Sequence, residues 1–285
     1  MSNLAKSIRA KLLHLSKKEN VSYQLMLVRY FQERFLYRLS LSDYKDVFFL
    51  KGGVLLYLLN EQRSRPTMDI DFLAAKINSE TSNLQGIFAT ICKIGYYDDA
   101  VIFDPLSVDT NEIIRNGNYN GIRVYVTGNL DTIQQRIQID IGFGDKIYPK
   151  PVMVKYPVIL EMAQPEINAY SIYSAIAEKF EAMIQLSEVN SRMKDFYDVF
   201  ILLSNNEIDK SELEIAINLT FETRGTVISN NHSIFQEHFF KSPDRLNQWN
   251  SFKRKAKITN TLEFDRVLKM IKIELEPIYN RIKRF

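Results

Sequence analysis

The 285-residue chain has one cysteine, one tryptophan and three histidines. Cys92 cannot form an internal disulfide, and His14, His232 and His238 show no ligand spacing, so a disulfide scaffold and a Cys/His zinc fold are both excluded. No apolar run approaches the roughly 18 residues that a membrane span requires. Lys6, Arg9, Lys11, Lys17 and Lys18 crowd the N-terminal region, but no secretory apolar stretch follows them. The expectation is a soluble, cytoplasmic protein in a reducing compartment, with no membrane partner. What is present is ordinary: 46% hydrophobic and 25% charged residues, a globular composition long enough for two domains.

The net charge of +3 hides an asymmetry. Residues 251–285 carry ten basic and four acidic side chains, whereas the first 250 residues carry a net −3. Basic ends on a near-neutral body suit a polyanionic partner better than a membrane.

Helical periodicity covers residues 3–40. Val47–Leu50 is a short apolar strand, Val54–Leu59 a turn or two of buried helix, and Arg63–Pro66 a break, because Pro66 biases Arg65 away from helical angles. Thr67–Ala74 alternates as a strand, Thr81–Gly95 as a helix, and Gly121–Val126, Gln134–Phe143 and Val152–Leu160 as strands. From about Pro165 the texture is helical only: Tyr170–Leu186, Ser191–Leu203, Ser211–Thr220 and Leu262–Arg284. This order predicts an α+β protein, with a mixed sheet flanked by helices over residues 1–165 and a helical bundle over 166–285.

Two aspartates stand inside an apolar strand, Met68-Asp69-Ile70-Asp71-Phe72-Leu73. Strand alternation sends both carboxylates to one face and Met68, Ile70 and Phe72 to the other. Adjacent like charges need something positive near them, and a divalent cation is the simplest candidate. An isolated Asp-x-Asp also occurs as a plain polar edge. Here Gly52-Gly53 follows a short strand and opens a helix, as in phosphate-binding turns. A third strand carboxylate, Asp140, shares a face with Gln138 while Ile137, Ile139 and Ile141 take the other. Glycine turn, paired carboxylates and later carboxylate form a specific order.

That order resembles the nucleotidyltransferase superfamily of polymerase-beta-like fold. More narrowly, Phe49-Leu50-Lys51-Gly52-Gly53, Arg65-Pro66-Thr67-Met68-Asp69-Ile70-Asp71-Phe72 and Gln138-Ile139-Asp140-Ile141-Gly142-Phe143-Gly144-Asp145 are similar to the AbiEii/AbiGii abortive-infection toxins. So are Ala177-Glu178-Lys179-Phe180-Glu181-Ala182, Ser191-Arg192-Met193-Lys194-Asp195-Phe196-Tyr197-Asp198, Thr220–Thr226, and the late Trp249 with Phe252. One departure from the superfamily is Gly53, where a serine is common.

The resemblance implies a nucleotidyltransferase that moves NMP from an NTP to an acceptor, with Mg²⁺, or Mn²⁺, held by Asp69 and Asp71, and with Asp140 either completing that metal site or accepting the proton of the attacking hydroxyl. It implies that Lys51, Gly52, Gly53, Lys179 and Arg192 contact the nucleotide, with Lys179 also catalytic beside Asp195 or Asp198, in a cleft that the helical domain completes. It further implies a type IV toxin–antitoxin system, with a cognate antitoxin that need not touch the toxin and an RNA acceptor such as the tRNA 3′ end. A small-molecule acceptor, a protein acceptor and a catalytically silent module are the alternatives. Locally, Lys179 also reads as a surface lysine whose stem lies on apolar neighbours, and Arg192, Asp195 and Asp198 as an intrahelical ion-pair ladder. Lys179→Ala is expected to leave the chain folded. Trp249 and Phe252 read as helical core or, alternatively, as a stacking platform beside Lys253, Arg254, Lys255 and Lys257.

Overall fold

The computed structural model describes residues 3–60, 65–115, 119–258 and 261–282, with side chains undefined at 114, 115, 119 and 120. The chain forms two compact units. The first comprises residues Met1–Leu58, Pro66–Gly144 and Val152–Ala169, and the second Leu59–Arg65, Asp145–Pro151 and Tyr170–Phe285.

The first unit begins with α1 (Asn3–Lys18) and α2 (Tyr23–Leu41). The expected continuous helix is broken at residues 19–22, where Asn20 takes a left-handed φ of 54° and Ser22 caps α2 by accepting from the Leu25 amide. Then come β1 (Phe48–Lys51), α3 (Gly52–Leu59), β2 (Asp69–Ala74), α4 (Thr81–Cys92), β3 (Ile102–Arg115), β4 (Tyr119–Leu130), β5 (Ile133–Phe143), β6 (Val152–Lys155) and β7 (Glu166–Ala169). The expected break at Arg63 and Ser64 lies outside the described residues.

Among the described residues, seven strands form one mixed sheet in the order β3-β4-β5-β2-β1-β7-β6. β2 runs parallel to β5 and β1 parallel to β7; the other pairs are antiparallel. One face is apolar: Phe48, Leu50, Ile70, Phe72, Ile137, Ile139 and Ile141 are each at most 1% exposed. Helices α2 and α4 cover it, with Phe35 stacked on Phe88 at 5.8 Å and Phe88 against Phe48 at 5.4 Å. Met68 does not join that face. It precedes β2 and is 53% exposed. The strand expected over Val152–Leu160 stops at Lys155, and β3 and β7 were not legible in the sequence at all.

The second unit is helical: α5 (Ile172–Leu186), α6 (Met193–Asn205), α7 (Lys210–Arg224), α8 (Glu237–Lys241), α9 (Pro243–Lys255) and α10 (Phe264–Arg281). Phe180, Phe221, Phe235 and Tyr279 form one aromatic cluster in it, and Phe196, Tyr197, Trp249 and Phe264 another. Trp249 is fully buried and donates its indole N–H to the Leu262 carbonyl at 3.0 Å. It is core, which removes the stacking-platform alternative.

Candidate active site

Directly opposed residues on neighbouring strands project to the same face. Register therefore builds a charged row across the open face of the sheet: Lys51 on β1, Asp71 on β2, Asp140 on β5 and Arg123 on β4. Neighbouring members are about 4.8 Å apart, the strand spacing. The next row begins with Asp69 and Gln138. The three carboxylates Asp69, Asp71 and Asp140 each offer an oxygen within 4.8 Å of the others. The two on β2 are half-buried, and Asp140 is 4% exposed.

Two glycines make room for this cluster. Gly52 has φ +65°, a conformation that glycine adopts freely, and a Cβ there would lie 2.0 Å from Asp71 Oδ2. No side chain fits without driving Asp71 out of place. Gly52→Ala is therefore expected to cut transfer at least about tenfold, since a misplacement near 1 Å at a reacting centre costs that or more; a rate assay beside a melting curve checks it. At Gly53 a Cβ would meet Thr67 Oγ1 at 2.6 Å. That hydroxyl donates to Asp69 Oδ1 at 2.7 Å. The space a serine side chain would need at position 53 is thus filled by Thr67, already engaged with the first carboxylate.

Arg123 is the residue that sequence reasoning missed. Its Nε donates to Asp140 Oδ1 at 2.8 Å and its Nη2 to Oδ2 at 2.9 Å, while Gln138 adds a bond to Oδ1 at 3.2 Å. These bonds outweigh desolvation and raise the Arg123 pKa, so the guanidinium stays charged. The only signal was alternation in Gly121–Val126, which puts Arg123 on the polar side without naming its partner.

Within the second unit, Lys179 of α5 donates to Asp195 Oδ1 at 3.0 Å and to Asp198 Oδ2 at 2.8 Å on α6. Arg65 holds Asp198 through two bonds of 3.0 and 2.9 Å, and Arg192, which immediately precedes α6, pairs with Asp195 at 2.7 Å. Both aspartates are at most 2% exposed. Burial works to lower the Lys179 pKa, but Asp198 and then Asp195 offset it and leave it raised. Burial works to raise that of Asp195, and Lys179 and Arg192 leave it lowered. The ladder expected along one helix is mainly a bridge from α5 to α6. A second ionic network was also missed: Arg224 bonds Asp145 at 2.9 Å and Glu181 at 2.7 Å and lies 3.1 Å from Glu178.

Two solved structures share this fold over most of its length. One is a Helicobacter pylori protein described as a nucleotidyltransferase; it is 15% identical, with a TM-score of 0.50 over 87% of this chain and 92% of its own. The other, JHP933 from Helicobacter pylori, has the same identity and TM-score over 87% of this chain and 89% of its own. At this identity the likeness is one of fold, the nucleotidyltransferase fold. No curated protein matches the sequence. The family described as nucleotidyl transferase AbiEii toxin, Type IV TA system, matches residues 34–270, and the chain belongs to it. It is thus a nucleotidyltransferase of a toxin–antitoxin family, for which a nucleotide substrate and an antitoxin partner follow. Among the described residues, no helix is long and apolar enough to cross a membrane.

Proposed function

We propose that the protein is an Mg²⁺-dependent toxin that transfers NMP from an NTP to RNA, at the 3′ end of tRNA. The observation that carries the chemistry is the group of three carboxylates within 4.8 Å on one sheet face. The donor set fits a hard divalent cation: all oxygen, with the room at Asp71 kept free by Gly52. Asp69, Asp71 and Asp140 would hold such a cation, which would supply positive charge to offset that of the triphosphate.

The chain's own residues divide the remaining work. Asp69 and Asp71 are the metal-holding pair, with Thr67 fixing the rotamer of Asp69 through its hydrogen bond. Asp140 completes the site. With Arg123 on both its oxygens its negative charge is partly offset, which suits a ligand held in place better than a strong proton acceptor. Lys51, the amides of Gly52 and Gly53 at the start of α3, Lys179 and Arg192 are assigned to the nucleotide phosphates, in keeping with the family. Asp195 and Asp198 hold Lys179 in position.

The RNA acceptor is supported by charge. α1 carries Lys6, Lys11, Lys17 and Lys18 exposed and contains no acidic residue. The C-terminal basic set is smaller than its sequence suggests: Arg254, Lys255 and Lys257 are exposed, but Lys253 donates to the Leu262 carbonyl at 3.0 Å and Lys269 pairs with Asp265 at 2.7 Å. Each NTP labelled at the α-phosphorus, incubated with Mg²⁺ and total cellular RNA, should label a band of tRNA size. Periodate oxidation of the RNA 3′ diol should abolish that labelling. Label on a protein or small molecule, with RNA unmodified, would overturn the acceptor and leave the transferase.

A further inference from the structure

Beside the row that holds Asp71 and Asp140 runs a second: Asp69, Gln138, Tyr125 and Asp109, on β2, β5, β4 and β3. Tyr125 is half-buried, and the Arg136 guanidinium lies 3.8 Å over its ring. Arg136 Nη2 donates to Asp109 Oδ2 at 3.0 Å, and both side chains are 55% exposed. At the other end, Tyr125 shares the face of β4 with Arg123 two residues before it, and Arg123 grips Asp140. One sheet face thus carries both the carboxylate cluster and an exposed guanidinium laid flat on an aromatic ring.

That arrangement has a definite chemistry. An Arg136 edge is already engaged by Asp109, so an anion would have to compete for it. The guanidinium face turned away from Tyr125 is a planar π surface, which suits another planar π system. Tyr125 stands two strand spacings from Asp69, about 10 Å, which is the reach of a nucleotide from its α-phosphate to its base. We propose that Tyr125 and Arg136 form a nucleobase-stacking subsite of the active site. The proposal rests on the nucleotide-transfer reading above. The base belongs either to the incoming NTP or to the terminal nucleotide of the RNA acceptor.

The test compares Arg136→Ala, Arg136→Lys and Tyr125→Leu with wild type by calorimetry with Mg²⁺, using the preferred NTP, inorganic tripolyphosphate and an RNA acceptor as separate titrants. Arg136 is exposed enough that its replacement leaves the fold intact, so the result does not hang on Tyr125→Leu. If the subsite serves the NTP, both Arg136 variants weaken NTP binding roughly tenfold or more, the loss of one base stack, with tripolyphosphate affinity unchanged. If it serves the acceptor, the same loss appears with RNA and not with NTP. Arg136→Lys is the sharper variant, because it keeps the charge and loses the plane. Full rescue by lysine, equal losses for NTP and tripolyphosphate, or no loss with either NTP or RNA would overturn the stacking subsite. Wild-type protein that binds none of the three titrants would overturn the nucleotide-transfer reading along with it.

Discussion

Asp71→Asn, and equally Asp69→Asn, is expected to lower nucleotidyl transfer by at least about a hundredfold, the usual cost of removing one aligned electrostatic group, while the protein stays folded. Both side chains sit half-buried on the open face of β2, and the side chains beneath them, Ile70 and Phe72, carry the packing. Asparagine keeps the volume, and at position 69 it still offers an oxygen to the Thr67 hydroxyl. Removing one of three clustered carboxylates relieves repulsion, so the change in stability should stay within about 1 kcal/mol. Transfer rate, a thermal melt and Mn²⁺ binding by paramagnetic resonance read the three consequences separately. A variant that melts early yet keeps its rate would make these aspartates fold determinants instead.

Lys179→Ala is expected to do what the sequence alone does not suggest and weaken the second unit, by about 3 kcal/mol or more, the cost of stranding buried charge. The ammonium is 13% exposed and shared by Asp195 and Asp198, each 1–2% exposed. Arg65 and Arg192 remain for those carboxylates after the substitution, which places the effect at the lower end of the usual range. The sign with pH follows from Asp195, whose pKa is lowered in the fold. Its contribution is fully present above the ordinary carboxylate range and fades as pH falls through its folded value. The gap in melting temperature between wild type and Lys179→Ala should accordingly be wide at neutral pH and narrow below about pH 4. Equal melting curves at pH 7 would return Lys179 to a surface lysine. NTP affinity of the variant, taken well below its melting point, then reports the nucleotide contact on its own.

What could be read from the sequence was what local periodicity encodes. Asp69 and Asp71 share a face because side chains alternate within one strand, and Asp140 is set apart from Ile139 and Ile141 by the same rule. Gly52 was recognisable because a strand ends and a helix begins on it. Arg123 was not, since its meeting with Asp140 depends on the β4–β5 register rather than on either segment. The same holds for Lys179, whose partners lie 16 and 19 residues away on another helix. β3 escaped notice because Pro105 and an irregularity between Asp104 and Asp109 disrupt its alternation. β7 has only four residues, and its pairing with β6 and β1, not its own pattern, defines it. Thr67 and Gly53 illustrate a third kind of silence. Two residues fourteen positions apart exclude one another's side chains, a relation visible only in three dimensions.

Transfer of a nucleotidyl group by the Asp69, Asp71 and Asp140 site is open to a paired labelling experiment. Wild type and Asp71→Asn would each be given the same NTP labelled at either the α- or the γ-phosphorus, with Mg²⁺ and RNA. Wild type should place α-label in the acceptor and release γ-label only as pyrophosphate, and Asp71→Asn should give neither product. Label from the γ-phosphorus in the acceptor, or undiminished α-transfer by Asp71→Asn, would contradict nucleotidyl transfer by this site.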